Sequence, residues 1–420
     1  MVRPKTKNNL TKKCIVLLVA VAICGVSLFA GSGKNTVPQR VTHSTENENT
    51  HTQQEVTANK TAQNSQGAEA TETVSAPKSD NIHASTILQS EDYKQYRYTA
   101  LLAPNDSQYS GSWYHSKLQT NRAWDVTTGS GGSVIAVIDT GFALDHQDLT
   151  SKWYGNAGEQ GQTTLGDSCW TGSAVNKSTN SCDDDQNGYV DDWRGWDFDS
   201  GDNDPQTGVT DAEGRGVQHG SVVSGIIAAS GNNSVGKAGI DWQATIMPLQ
   251  VLGDDGAGYT FDIVAAIEYA ADNGANIINM SLGGPDYDAA MLAAVNYATS
   301  RGVLVVAASG NCGDSSVDEC AGMVGPGRMA YPAKYENVLS VGATNSGDSR
   351  ASFSSYGPEL DITAPGSSVG PLVGWSSSLP TSGYSSSGSG TSYASPMVAG
   401  LAGLVRARLG SPTVAQLRSA

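Results

Sequence analysis

From residue 134 onward, short apolar runs alternate with segments of helical character, and this alternation limits the folds that the chain can adopt. The runs are rich in β-branched residues, as in VIAVIDTG at 134–141, which is typical of strands buried on both faces. Strands that alternate with helices form a parallel sheet covered by helices. The sequence therefore predicts an α/β fold with a doubly wound parallel sheet. The expected strands are 134–139, 244–252, 275–280, 303–308 and 337–343. One expected helix begins at 219, and three others span 260–273, 288–300 and 391–409.

Polar residues follow two strands of this predicted sheet. Asp139 ends the strand at 134–139, and Asn311 follows the strand at 303–308. Ligands bind at the carboxyl ends of the strands in sheets of this kind. We therefore expect the active site at this edge.

Ser392 lies in the string GTSYASPMVAG, where a Gly-Thr-Ser turn leads directly into an apolar helix. Free N–H groups and the positive end of the helix dipole favour a developing anion at such a position. A hydroxyl becomes a useful nucleophile only when a base takes its proton. His219, which opens a predicted helix in HGSVVSGIIA, is the candidate base, and Asp139 is the candidate carboxylate beside it.

In the order Asp139, His219, Ser392, the chain resembles the subtilisin-like serine peptidases, the subtilases. Each residue alone has an ordinary structural explanation, but the strings and their order favour a catalytic set. The resemblance implies a subtilisin-like fold, a serine endopeptidase that acts through an acyl-enzyme intermediate, and Asn311 as the oxyanion donor. It covers about residues 100–420 and includes LQVLGDDGAG at 249–258, INMSLGG at 278–284, VVAASGN at 305–311, YPAKYENVLSVGAT at 331–344 and RASFSSYGPELDITAPG at 350–366.

The resemblance also implies a substrate cleft between two chain segments. Gly256-Ala257-Gly258 and Ser281-Leu282-Gly283 would hold an extended peptide between them as an added strand; ordinary turn glycines are the alternative. The base of the main specificity pocket would be Ala330, which precedes Tyr331-Pro332, a proline that the resemblance implies is cis. No carboxylate stands there, so we expect a broad or apolar preference for the residue before the scissile bond (P1), although Arg328 is nearby.

An acidic loop at 183–198, DDDQNGYVDDWRGWDF, is a candidate calcium site. Asp183, Asp185 and Asn187 alternate before a glycine, as calcium loops require, and Asp191 falls at the ninth position. An EF-hand would need glutamate in place of Arg194, so only the first half of the loop is EF-hand-like. A solvated acidic loop is the alternative.

The resemblance implies a second calcium site at Asp148, in HQDL, and Asn233, in NNSVG. Both match positions that ligate calcium in the subtilases. An extra residue in the Asn233 loop and Lys237 distinguish this chain from that pattern.

The cysteines indicate an oxidising compartment. Cys14 and Cys24 lie in the N-terminal apolar run, and four cysteines remain beyond it. An even set of this kind is typical of secreted proteins. We expect the local pairs Cys169–Cys182 and Cys312–Cys320, each within one polar loop, over the two crossed arrangements.

The N-terminal hundred residues differ in composition from the rest. Basic residues and then an apolar run at 14–31 predict a signal peptide or an uncleaved N-terminal anchor over 1–31, and either places the enzyme outside the cytoplasm. Residues 32–99 are rich in Thr, Asn, Gln, Ser and Glu, and such a segment buries too little surface to fold. We interpret it as a low-complexity linker or reduced propeptide before a catalytic domain at 100–420 whose C-terminus looks truncated.

The chain is acidic, with a formal net charge of −16 at pH 7. This charge argues against nucleic acid or an anionic membrane surface as a partner. We expect protein or peptide substrates, membrane association only if the N-terminal segment stays uncleaved, and a monomer. A catalytically silent binding module and a narrow processing protease are the alternatives, and the intact catalytic set disfavours the first.

Overall fold

A computed structural model of the chain describes residues 17–18, 102–206, 219–314, 320, 327–374 and 382–420. The expected signal segment and linker lie outside the described residues, apart from Leu17–Leu18. None of the described helices is both long and apolar enough to cross a bilayer.

A parallel sheet forms the centre of the fold, as the alternation predicts. The strands are β1 (Leu17–Leu18), β2 (Val134–Asp139), β3 (Trp196–Asp197), β4 (Thr245–Gln250), β5 (Ala257–Gly258), β6 (Ile277–Met280), β7 (Leu304–Ala308), β8 (Val338–Thr344), β9 (Ile362–Pro365), β10 (Leu372–Gly374) and β11 (Gly383–Ser385). Seven of them form the sheet, in the order β3-β4-β2-β6-β7-β8-β9, and all neighbours in it are parallel. Two antiparallel pairs, β1 with β5 and β10 with β11, lie outside it.

The helices of the described residues cover both faces of this sheet. They are α1 (Tyr114–Leu118), α2 (Thr120–Trp124), α3 (His219–Ala228), α4 (Thr260–Asp272), α5 (Ala289–Ser300), α6 (Thr391–Leu409) and α7 (Val414–Ser419), with 3-10 turns at Tyr109–Gly111, Ala157–Glu159 and Lys177–Thr179. Alternate residues of β2 face opposite sides, because side chains alternate along a strand. Ile135 and Val137 pack with α3 and α6 in one core, and Ala136 and Ile138 pack with α4 and α5 in the other.

The structure differs from the sequence prediction at the weakest elements. The edge strands β3 and β9 have two and four residues and were not predicted, because runs this short carry little apolar pattern. The last helix, α7, begins at Val414, because Thr413 and Gln416 form a capping box.

The structure contains two local disulfides. Cys169 pairs with Cys182 and Cys312 pairs with Cys320, with Cα–Cα distances of 6.0 Å and 5.6 Å. The first lies in the long loop between β2 and β3, and the second in the segment that follows Asn311. Each therefore ties a loop next to a candidate site rather than joining distant parts of the fold.

Asp241 is a buried carboxylate four residues before β4, away from the carboxyl ends of the strands. Its Oδ1 accepts the N–H of Gln243 at 3.1 Å, and its Oδ2 has no hydrogen-bond partner among the described residues. Burial raises the pKa of Asp241 from 3.8 to about 7, although backbone N–H groups lower it in part. In the folded protein, the Asp241 carboxyl group is therefore mostly neutral below about pH 7.

We expect Asp241→Asn to stabilise the protein at pH 8 but not at pH 4. A folded pKa above the unfolded value makes ionisation destabilising, so stability is lost as the pH rises from about 4 to about 7, and an asparagine does not ionise. Thermal melts of inhibitor-blocked protein at both pH values measure the effect, with Asp286→Asn as an exposed control. The same difference in melting temperature at both pH values would contradict the prediction.

Candidate active site

Asp139 and His219 form a buried hydrogen-bonded pair at the carboxyl end of the sheet. Asp139 ends β2 and His219 is the first residue of α3. His219 Nδ1 lies 2.7 Å from Asp139 Oδ1, which also accepts the N–H of Thr140 at 2.8 Å. Because an ionised carboxylate only accepts hydrogen bonds, Nδ1 carries the hydrogen, and Nε2 of a neutral imidazole keeps a lone pair that can accept one.

Ser392 is the second residue of α6, whose start lies near this pair. The ring of Tyr393, which follows it, has its centroid 6.0 Å from that of His219, so the start of α6 is beside the imidazole. Ser392 and His219 are 6% and 5% exposed. His219 Nε2 has no hydrogen-bond partner among the described residues, and it is the nitrogen that a nucleophile would use.

Asn311 follows β7 and is held by the residue before Ser392. Its Oδ1 accepts the Thr391 N–H at 2.8 Å and the Thr391 hydroxyl at 3.0 Å. A Cβ placed on Gly390 would lie 3.6 Å from Asn311 Nδ2 and 3.8 Å from Ser392 Oγ. The amide nitrogen and the hydroxyl therefore border the same small space.

The strand order places one chain segment on each side of Asp139. β2 lies between β4 and β6, so the segments that follow β4 and β6 flank the residue that ends β2. These segments carry β5 and Ser281-Leu282-Gly283, the two walls that the sequence predicts. The structure thus brings the expected cleft residues and the Asp139–His219 pair to one edge of the sheet.

Ala330 lies between glycines of two neighbouring segments. A Cβ on Gly283 would be 2.7 Å from the Ala330 methyl group, and a Cβ on Gly310 would be 3.3 Å from it. Ala330 is buried, and Tyr331 pairs with Gly284 through two 2.9 Å backbone hydrogen bonds. The Tyr331–Pro332 bond is cis. The base expected for the specificity pocket is therefore small and uncharged.

A family model described as the subtilase family matches residues 130–420 of the chain. The chain belongs to the subtilase family. The match runs from before β2 into α7 and includes every residue of the site described above. As a subtilase, the chain is a serine endopeptidase.

Known subtilases resemble this one over much of their length. Thermitase of Thermoactinomyces vulgaris is 36% identical over 303 residues, which cover 72% of this chain and 85% of thermitase. Subtilisin BL of Lederbergia lenta is 46% identical over 204 residues, 49% of this chain and 68% of that protein. Among solved structures, a protease of Pseudoalteromonas arctica aligns with a TM-score of 0.56 and 27% identity, over 76% of this chain and 91% of that one.

The acidic loop of this subtilase contributes two carboxylates to a cluster whose third member, Glu159, lies earlier in the chain. Glu159, Asp185 and Asp192 each offer an oxygen within 4.8 Å of the others. Asn156 Nδ2 lies 2.9 Å from Asp185 Oδ2 and 2.7 Å from Asp192 Oδ1. Tyr269 donates its hydroxyl to Asp192 Oδ2 at 2.5 Å. Of the four predicted ligands in this loop, only Asp185 belongs to the cluster.

Glu159 is the member of this cluster with a carboxylate oxygen that lacks a hydrogen-bond partner among the described residues. It is fully buried, and its Oε1 accepts the N–H groups of Asp184 and Asp185 at 2.6 and 3.1 Å. Its Oε2 has no hydrogen-bond partner among the described residues. Burial, with the nearby charges of Asp185 and Asp192, raises the pKa of Glu159 to about 7. The group fits a cation, because a hard divalent ion would satisfy the orphaned oxygen and offset the repulsion.

The other three predicted ligands have different contacts. The carboxylate of Asp183 accepts the N–H groups of Asn187 and Gly188. That of Asp191 accepts the N–H groups of Asn180 and Ser181 at 3.1 and 3.0 Å. Asn187 donates its amide to Asp192 at 2.8 Å. These residues thus shape the loop around the cluster.

Asp148 and Asn233 lie together, as the resemblance implies. Asn233 Nδ2 is 3.4 Å from Asp148 Oδ1, and Tyr384 donates to Asp148 Oδ2 at 2.8 Å. Asp106 is close by, since it accepts the Asn232 N–H at 2.7 Å, and its buried Oδ1 has no partner among the described residues. Burial raises the pKa of Asp106, and the charge of Asp148 adds to this effect.

The sequence reasoning missed several residues of these sites. Thr391 stands beside Ser392 in the GTS string, and its contact with Asn311 had a local signal. Asp192 lies in the acidic loop directly after Asp191, so it also had a local signal. Three others carried none, because they lie outside the motifs that they join: Asp106, Asn156 and Glu159.

Proposed function

We propose that this subtilase is a secreted endopeptidase with Asp139, His219 and Ser392 as its catalytic triad. The observation that carries the proposal is the 2.7 Å contact between Asp139 and His219 Nδ1 beside the start of α6. Ser392 attacks the peptide carbonyl while His219 Nε2 takes its proton, and the imidazolium later protonates the leaving amine. Asp139 holds the tautomer that leaves Nε2 as the base and stabilises the imidazolium.

Asn311 is proposed to stabilise the oxyanion of the tetrahedral intermediate. Its Oδ1 accepts from Thr391, and its Nδ2 borders the space next to Ser392 Oγ, where it would donate to the oxyanion. The backbone N–H of Ser392, at the positive end of α6, would be the second donor. Charge that develops on the carbonyl oxygen is thereby stabilised without reorganisation of the site.

The substrate is proposed to bind as an extended strand between Gly256-Ala257-Gly258 and Ser281-Leu282-Gly283. Backbone pairing supplies affinity without sequence preference, so side-chain pockets determine specificity. The contact of Ala330 with Gly283 and Gly310 gives the P1 pocket a small, uncharged base. We therefore propose a broad or apolar P1 preference. The two disulfides and the N-terminal sequence support secretion.

The test of the proposed function is casein hydrolysis by the purified enzyme with and without phenylmethylsulfonyl fluoride. Hydrolysis that the inhibitor abolishes is the expected result, because the reagent sulfonylates an activated serine oxygen with loss of fluoride. A folded protein with no activity on casein or on a panel of peptides would instead indicate a silent binding module. Mapping of the cleavage sites then tests the P1 preference.

Calcium is proposed as a structural ion held by Glu159, Asp185 and Asp192, with Asp106, Asp148 and Asn233 as a second site. When bound, the ion would neutralise buried carboxylates and take no part in the acyl transfer. A ligand that binds only the folded state stabilises it by about 2.7 kcal/mol at 100 times its dissociation constant. The proposal rests on the orphaned oxygens of Glu159 and Asp106.

Chelation is expected to lower the melting temperature of inhibitor-blocked enzyme and to hasten autolysis. Glu159→Gln and Asp148→Asn should each remove part of the calcium response, because each removes one charge from a different site. Thermal melts in calcium and in chelator measure this response, with Glu336→Gln as an exposed control. Identical wild-type melts in both buffers would rule out calcium stabilisation. A full response in the Glu159→Gln variant would exclude the first cluster.

A further inference from the structure

Pro396 changes the hydrogen bonding at the start of α6. In a regular α-helix, the N–H of each residue bonds to the carbonyl four residues earlier, and proline has no N–H. Residue 396 therefore cannot satisfy the carbonyl of Ser392. The Ser281 hydroxyl donates to that carbonyl instead, at 2.9 Å.

Asn279 holds the Ser281 hydroxyl, and Ser395 in turn holds Asn279. Asn279 Nδ2 donates to Ser281 Oγ at 3.0 Å, and Ser395 Oγ donates to Asn279 Oδ1 at 2.7 Å. A carbonyl can only accept, so Ser281 is the donor to Ser392, and the direction of the other two bonds follows. Asn279, Ser281 and Ser395 are at most 1% exposed. Every link of this chain of hydrogen bonds is thus fixed and shielded from water.

We propose that Asn279, Ser281 and Ser395 are positioning residues that fix the backbone of Ser392 against the carboxyl end of β6. The inference rests on the proposed role of Ser392 as nucleophile. Ser281 also begins the segment proposed to pair with the substrate. The same residue therefore sets the position of the nucleophile relative to the peptide that it attacks.

Ser281→Ala is expected to lower kcat by about 10–10²-fold, the size of effect that a small displacement of a reacting group produces. KM stays unchanged, because the substrate pairs with the backbone of this segment. Ser281→Thr restores most of kcat, since it keeps the hydroxyl. The matched control is Ser133→Ala, which removes a buried serine hydroxyl that contacts the Gly403 carbonyl at the other end of α6 and keeps wild-type kcat.

Titration of each variant with a fluorophosphonate gives the concentration of competent sites, and kcat is calculated per titrated site. If the reagent does not label Ser392 in the wild type, the proposed function is wrong, and this inference, which rests on it, is wrong as well. If it is labelled and Ser281→Ala turns over at the wild-type rate per site, the positioning role is wrong, even if the variant melts earlier. Should Ser281→Ala not fold, Ser395→Ala carries the test. A wild-type kcat in that variant would overturn the proposal.

Discussion

Replacement of Ser392 by alanine is expected to lower kcat by about 10⁶-fold, the loss that follows removal of the serine nucleophile in subtilisin. Alanine removes the only atom of the side chain that can form the acyl-enzyme. The fold should remain intact, because the described contact of Ser392 with Ser281 uses its backbone carbonyl. Hydrolysis of a chromogenic peptide by purified protein, together with a thermal melt, measures both effects.

Ser224→Ala is the control for this experiment. Ser224 is buried in α3, and its hydroxyl has no partner among the described residues, so its removal should leave kcat near the wild-type value. Turnover by Ser392→Ala within tenfold of the wild type would show that another group is the nucleophile. A variant that fails to melt cooperatively would be replaced by Ser392→Cys, which keeps a nucleophile of similar size and should react with thiol reagents at residue 392.

Replacement of Asn311 by alanine is expected to lower kcat by about 10²–10³-fold, the loss found when one oxyanion donor is removed. KM should change little, because the donor acts on charge that develops only in the transition state. Steady-state kinetics on one peptide substrate separates the two constants. A rise in KM with an unchanged kcat would remove Asn311 from the oxyanion hole.

Two variants define what the Asn311 result means. Asn311→Asp keeps an oxygen that can accept from Thr391 but has no N–H to donate, so it should lose at least as much activity as the alanine variant. Asn296→Ala serves as the control, since Asn296 is exposed on α5 and contacts only Asn337 among the described hydrogen bonds. Wild-type kcat in Asn311→Asp would contradict the role of the amide nitrogen.

Much of the fold, and the edge of the sheet that carries the candidate active site, followed from the sequence. Apolar β-branched runs predicted the inner strands, and their ends predicted the edge at which Asp139 and Asn311 lie. α6 was predicted as 391–409, and it spans Thr391–Leu409. These features are local: a buried strand or a helix start is encoded by residues that are close along the chain. The edge strands β3 and β9 were missed because short, partly exposed strands lack that pattern.

The tertiary structure alone decided the contacts between segments that are distant along the chain. Spacing within the acidic loop predicted Asp183, Asp185, Asn187 and Asp191 as ligands, and the fold adds Glu159 and Asp192 beside Asp185. The Ser281 hydroxyl reaches the Ser392 carbonyl across 111 positions of sequence. A sequence pattern shows which polar side chains are present. Which of them contact one another is determined by burial, because a polar group inside the fold has few possible hydrogen-bond partners.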